Sequence, residues 1–205
     1  MFGNFSLAHI AYLIVFILIS LTIHEFMHAF IGYKLGDNTA RDEGRVSLNP
    51  IRHIDPVMTV ALPIITILLI GSPILAAKPV PFDPRNVKYD EFGAALIAAA
   101  GPLSNLALAF VAALIARSIG IESPAVAYAF ELFIILNVSL FVFNMIPIPP
   151  LDGSRVLYAF APESLQRIML QLEPIGLFIV FGLVALGGFG GFINRLSDFV
   201  LRLLP

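Results

Sequence analysis

The stretch of this sequence whose residue types could do chemistry is "HEFMH", residues 24–28. Positions i and i+4 of an α-helix lie on one face, so His24 and His28 can point at one spot. Two imidazole nitrogens at that spacing fit two of the four tetrahedral positions of Zn²⁺, and Glu25 lies beside them. Zinc makes water more acidic and a nearby carboxylate can move its proton, so the pattern predicts hydrolysis of an amide bond.

A catalytic zinc site needs a third protein ligand and an open fourth position. His9 is excluded, because it lies about 22 Å from His24 along the same helix. His53 lies in a polar loop, where a solvated or hydrogen-bonded role is expected. Asp152, in "NMIPIPPLDGS", follows an apolar helix and a proline-rich turn. It could be the third ligand or the N-cap of the next helix, and sequence spacing does not decide between these roles.

The composition around this motif is that of a polytopic membrane protein. Apolar residues make up 59% of the 205 positions, charged residues 13%, and the mean hydropathy is +0.92. Soluble domains carry about a quarter charged residues, so lipid must cover much of this apolar surface. The net charge of −2 and the absence of a basic stripe give no case for nucleic-acid binding. The absence of cysteine excludes disulfides and thiolate ligands.

Histidine and glutamate inside an apolar helix need an explanation, because ionisable groups are costly in a bilayer. They could be polar residues packed between helices, or they could bind a metal. Polar clusters within membrane helices are rare and usually mark function. The complete His-Glu-x-x-His pattern therefore favours metal chemistry.

The apolar stretches predict an all-α fold with about four transmembrane helices. These are residues 7–35, 92–119, 125–145 and 174–200, with one or two amphipathic, interfacial helices at 151–173. The apolar segment 57–81 is broken by four prolines and by Gly71, which favours a re-entrant segment. We find no repeat, linker or second soluble domain, so residues 1–205 are predicted to form one membrane-embedded domain. The distribution of Lys and Arg leaves the orientation in the membrane open.

A count of membrane crossings also favours a re-entrant segment. If Asp152 and the two histidines bind one ion, they must lie near the same membrane face. The helices at 92–119 and 125–145 already supply two crossings between them. A third crossing at 57–81 would place Asp152 on the wrong face, so we expect this segment to turn back near residues 71–73.

Several motifs together resemble the site-2 protease family of intramembrane zinc metalloproteases, peptidase family M50. "HEFMH" in an early membrane helix and "NMIPIPPLDG" far downstream form the specific pair. "AGPLSN", "RVSLNPIRHIDP" and "AAKPVPFDPRN" resemble other segments of the short, single-domain members. The sequence between the motifs contains no PDZ-like insert, and the helix that precedes the HExxH helix in some members is missing.

The resemblance implies one zinc ion held by His24, His28 and Asp152, with Glu25 as general base and acid. It also implies that Asn144 orients substrate near the metal, and more weakly that Asn105 does so. The expected activity is cleavage of peptide bonds in or near transmembrane segments of membrane proteins, the chemistry of regulated intramembrane proteolysis. The expected location is a multi-pass position in a prokaryotic inner membrane.

Two other functions use the same ligands. A zinc transporter would need the histidines but not Glu25, and a metal-binding membrane scaffold would bind partners without cleaving them. The sequence leaves open the substrate, the cleavage site, what gates substrate access and the oligomeric state.

Overall fold

A computed structural model describes residues 7–61, 65–66, 78, 80–185 and 188–205 of the chain. The helices whose bounds it gives are α1 (Leu7–Lys34), α2 (Thr39–Asp42), α3 (Asp90–Ser118), α4 (Pro124–Asn144), α5 (Asp152–Phe160), α6 (Glu163–Leu172), α7 (Gly176–Ala185) and α8 (Gly188–Leu201). Shorter helical turns lie at Pro50–Arg52, Pro56–Ala61, Pro84–Asn86 and Glu173–Ile175.

The prediction of an all-α membrane protein is confirmed. Among the described residues, four helices are long and apolar enough to cross a membrane: His9–Lys34, Asp90–Ser118, Pro124–Asn144 and Glu163–Ala185. The first three match the predicted stretches within two residues at the ends they share. Local chemistry explains those ends, because α3 carries two acidic residues in its first turn and Arg117 in its last, as the helix dipole favours. Pro124 begins α4, where its missing N–H costs nothing.

The fourth predicted span, 174–200, corresponds to α7 and α8, and residues 186–187 between them lie outside the described residues. By length and composition alone, the candidate helix among the described residues runs from Glu163 to Ala185 and includes α6. Glu173, at the end of α6, pairs with Arg155 of α5. Pro174 lies in the first positions of the turn Glu173–Ile175, where a proline does not interrupt the helical path. Helix α8 packs against α4.

Helix α3 is the centre of the bundle, with contacts to α1, α4 and α5. Its inward face is built from small residues, so its neighbours can approach the backbone closely. Ala109 of α3 is fully buried against Val138 and Val142 of α4, and apolar residues of α8 cover this cluster. A second cluster joins Ile146 and Leu151, which flank the proline-rich turn, to α7.

The connection between α1 and α3 starts at one end of the bundle and returns to that same end. The backbone N–H of Lys88 donates to the carbonyl of Leu35 at 2.9 Å, and the N–H of Lys78 donates to the carbonyl of His53 at 3.1 Å. His53 and Lys78, at the two ends of this segment, therefore lie side by side. The predicted turn at residues 71–73, and most of the segment 57–81, lie outside the described residues.

Helix α4 then brings the chain back to this end, where the turn 145–151 leads directly into α5. Gly153 permits this turn to be tight, because a β-carbon there would lie 2.7 Å from the carbonyl oxygen of Ile146 and closer still to the carbonyl of Met145. The start of α5 is thus packed against the last turn of α4. Asp152, the first residue of α5, is fixed relative to α4 by this contact.

Gly153→Ala is expected to lower the free energy of unfolding by about 1–3 kcal/mol, the usual cost of overpacking. The added methyl group meets backbone atoms, which cannot move aside as a flexible side chain can. Gly182→Ala is the matched control, since nothing lies within 4 Å of a β-carbon at Gly182. Thermal unfolding of the purified protein in detergent measures both, and equal destabilisation by the two variants would contradict this account.

Candidate metal centre

The two histidines of the HEFMH motif point at one spot inside the bundle, as helical periodicity predicts. His24 and His28 are both buried, and their Nε2 atoms lie 3.0 Å apart. Both rings face α3, and at about 1.5 Å per residue they lie roughly 9 to 15 Å along α1 from Lys34 at its end. The pair therefore lies below the surface of the apolar bundle.

Asp152 completes a group of three potential ligands. Its Oδ2 lies 3.3 Å from Nε2 of His24 and 3.4 Å from Nε2 of His28. The three ligand atoms lie within 4.8 Å of one another, close enough to hold one ion. The sequence left two roles open for Asp152, a metal ligand and the N-cap of α5. The N-cap position is occupied by Leu151, whereas the side chain of Asp152 contacts both imidazoles. These contacts favour the ligand role.

The charge of the Asp152 carboxylate is stabilised by its neighbours. Burial disfavours the charged form, but the imidazoles of His28 and His24 outweigh burial and hold the pKa of Asp152 below its ordinary value. A metal cation would act in the same direction. The carboxylate is thus available as a ligand at neutral pH.

The other ring nitrogen of each histidine has a partner on α3. Nδ1 of His28 donates to the backbone carbonyl of Ile97 at 2.7 Å, and Nδ1 of His24 lies 2.6 Å from Oδ1 of Asn105. Partners of this kind fix the ring orientation of zinc-binding histidines. Two imidazole nitrogens and one carboxylate oxygen converge as a result, which is a donor set suited to a catalytic zinc ion with a fourth position open.

Gly101 is what allows α3 to lie this close to the two rings. A β-carbon at Gly101 would lie 2.6 Å from Cε1 of His28 and 2.7 Å from Nε2 of His24. Any side chain there would occupy the space in which the ligands converge. Neither Gly101 nor the carbonyl of Ile97 was predicted from the sequence, where the only signal was the run of small residues "AAAGP".

The remaining predicted site residues have distinct environments. Glu25 is buried, and among the described residues its carboxylate has no hydrogen-bond or ion-pair partner. Asn105 is fully buried against His24, whereas Asn144 is half-buried at the end of α4 and donates to the carbonyl of Leu140. The predicted role of the two asparagines in substrate binding stays a prediction.

The two other histidines lie apart from this group. The ring of His9 contacts the ring of Tyr128, with centroids 4.5 Å apart, near the opposite end of the bundle. His53 is buried in the loop after α2, with Nε2 2.7 Å from the carbonyl of Ser47. The exclusion of His9 and the hydrogen-bonded loop role of His53 agree with the sequence analysis.

Comparison with known proteins relates the chain to zinc metalloproteases. Residues 118–187 match the model of peptidase family M50. The chain is 35% identical to YwhC of Bacillus subtilis, which is named as a zinc metalloprotease, over 98% of this chain and 94% of that protein. It is 31% and 32% identical to the Rip2 proteins of Mycolicibacterium smegmatis and Mycobacterium tuberculosis, also named as zinc metalloproteases. Those matches cover 80% and 82% of this chain but only 62% and 63% of the two Rip2 proteins. No solved structure matches the chain significantly.

Gly101→Ala is expected to abolish stable zinc binding, because its methyl group would overlap the two imidazole rings. The matched control is Gly32→Ala on α1, where the new β-carbon would make an ordinary contact of 3.6 Å with Ile97. Zinc content per protein, measured by atomic emission after purification, distinguishes the two variants. A full zinc complement in Gly101→Ala would show that the helices do not approach as closely as described.

Proposed function

Because this chain belongs to the site-2 protease family, peptidase family M50, we propose that it is an intramembrane endopeptidase that hydrolyses peptide bonds in or near transmembrane segments. The family makes it a zinc metalloprotease, and its apolar helices place it in a lipid bilayer. The intramembrane substrate is the proposed part. The observation that carries it is the depth of the ligand group within a candidate membrane span.

That depth follows from the helices that hold the ligands. His24 and His28 lie inside the span His9–Lys34, and Asn105 and Ile97, which hold them, lie inside the span Asp90–Ser118. A soluble polypeptide would not reach a centre enclosed in this way. A segment that already lies in the membrane could reach it laterally, so the depth of the site supports a transmembrane substrate.

In the proposed mechanism, His24, His28 and Asp152 hold the zinc ion. When bound, zinc supplies the Lewis acidity that polarises the scissile carbonyl and makes water more acidic. Glu25 takes a proton from the attacking water as its oxygen bonds to the carbonyl carbon. Glu25 then delivers that proton to the departing amide nitrogen, so that the C–N bond breaks and a carboxylic acid, which ionises on release, and an amine leave.

The lack of a hydrogen-bond partner for Glu25 among the described residues suits this role. A glutamate bound by a cation or by backbone N–H groups would be a weaker base and would have to break those bonds first. Glu25 directly follows His24 on α1 and is buried in the same part of the bundle. We further propose that Asn144, at the end of α4, contacts the substrate backbone, and that residues 1–205 act as one membrane-embedded domain.

Glu25→Gln is expected to abolish cleavage of a single-span model substrate while leaving zinc binding intact, because the amide cannot accept the proton from water. His24→Ala and Asp152→Ala are expected to lose both zinc and cleavage. Proteolysis in reconstituted vesicles and zinc content of the same samples are the two measurements. Cleavage retained by Glu25→Gln would overturn the mechanism, and zinc flux that survives this substitution would favour a transporter.

The fold also supports an orientation in the membrane. Because the connection from α1 to α3 returns to the end it leaves, nine of the 12 Lys and Arg residues lie at the end that holds the metal centre: Lys34, Arg41, Arg45, Arg52, Lys78, Arg85, Lys88, Arg155 and Arg167. Short loops rich in Lys and Arg stay in the cytoplasm. We therefore propose that this end faces the cytoplasm of a prokaryotic cell, in the inner membrane.

A single cysteine reports this orientation cleanly, because the natural chain has none. Arg52→Cys, at an exposed position of the metal-centre end, is expected to react with a membrane-impermeant maleimide only after the cells are permeabilised. Glu122→Cys, exposed at the opposite end, is the matched control and should react in intact cells. The reverse labelling pattern would invert the proposed orientation.

A further inference from the structure

Two fully buried asparagines connect His24 to a helix that supplies no zinc ligand. Asn105 on α3 lies 2.6 Å from Nδ1 of His24 through its Oδ1. The amide nitrogen of Asn105 donates to Oδ1 of Asn137 on α4 at 3.0 Å, and Asn137 donates to the carbonyl of Phe133 at 2.9 Å. Both asparagines have no exposed surface, so water does not compete for these bonds.

The direction of this chain of hydrogen bonds is fixed by two backbone carbonyls, which can only accept. The carbonyl of Phe133 requires the NH₂ group of Asn137, which leaves Oδ1 of Asn137 facing Asn105. The carbonyl of Ser20, 3.3 Å from Asn105 Nδ2, independently requires the NH₂ group of Asn105 on the same side. Oδ1 of Asn105 must therefore face His24, where it can only accept.

This direction determines which nitrogen of His24 carries the proton. Because Asn105 presents an acceptor, Nδ1 of His24 must be the donor, so that in the neutral ring, the form that binds a metal, Nε2 keeps its lone pair. Nε2 is the atom that faces His28 and Asp152. The same tautomer is set at His28 by the carbonyl of Ile97. Each ring thus directs a lone pair to the place where the ligands converge.

We propose that Asn137 is a positioning residue for zinc binding: through Asn105 it holds His24 in the tautomer and orientation that a metal ligand needs. The proposal rests on the assignment of His24 as a zinc ligand in the proposed function. Asn137 acts by supplying the acceptor for the second N–H of Asn105. Without that acceptor one donor of Asn105 is left unpaired in an apolar interior, and the amide is free to rotate away from His24.

The effect of Asn137 differs from that of a residue that only packs α4 against α3. A packing residue can be replaced by an apolar side chain of similar size, and its loss lowers stability without changing the metal site. A positioning residue needs a hydrogen-bond acceptor, whatever the rest of the side chain. The two roles therefore separate when size and acceptor are varied independently.

Zinc affinity of the full-length protein in detergent, measured by competition with a chromophoric chelator, tests the proposal. Asn137→Leu keeps a similar size but lacks the acceptor, and it is expected to weaken zinc binding about tenfold, the lower end of the effect of outer partners on metal affinity. Asn137→Asp presents an acceptor to Asn105 in either protonation state and should bind zinc nearly as well as the natural chain. If Asn137→Leu does not fold, Asn137→Ala removes the same acceptor with a smaller side chain.

Val138→Ala is the matched control, because Val138 is the next residue of α4, is also fully buried and belongs to the apolar cluster with Ala109 and Val142. It should lower the unfolding temperature without changing zinc affinity. The proposal is overturned if the variants without the acceptor bind zinc as tightly as the natural chain, if Asn137→Asp binds as weakly as they do, or if Val138→Ala weakens binding equally. His24→Ala tests the ligand assignment separately from the role of Asn137, since unchanged zinc affinity in that variant would contradict the assignment of His24 as a ligand.

Discussion

The contact between the histidine face of α1 and the glycine face of α3 is the interaction on which the metal centre depends. A buried polar atom without a hydrogen-bond partner is costly, so Nδ1 of each imidazole needs a partner from the protein. Helix α3 provides both partners, the carbonyl of Ile97 and the side chain of Asn105. It can do so only because Gly101 leaves room for the rings. The axial register and the rotation of the two helices are thereby set together.

The role of α3 explains why a long apolar helix contains Gly101 and Pro102 in succession. Proline removes one backbone hydrogen bond from a helix interior and glycine weakens a helix, so this pair lowers the intrinsic stability of α3. Tertiary packing compensates, since α3 is enclosed by α1, α4 and α5. The local weakness lies beside the metal centre, where close approach matters more than helix propensity.

Asp152 reaches the histidines by a different route. It depends on α4 ending level with the ligand pair and on the rigid turn 145–151, whose prolines allow little freedom in the backbone. It also depends on the loop after α1, because α3 and α4 would otherwise run in the wrong directions. Hydrogen bonds from Lys78 to His53 and from Lys88 to Leu35 bring the chain back to its starting end. The position of Asp152 beside the two imidazoles is therefore a product of the whole topology.

The sequence by itself determined the features that repeat within a single helix. The spacing of His24 and His28 places them on one face wherever that helix lies, and apolar length predicts three of the four spans within two residues at the ends they share. Only the tertiary structure decided that Asp152 contacts both imidazoles, that Asn105 lies against His24 from 81 residues away, and that Gly101 faces the site. Helical periodicity is local and can be read from the order of residues, whereas contacts between distant segments depend on how helices pack, which one sequence does not display.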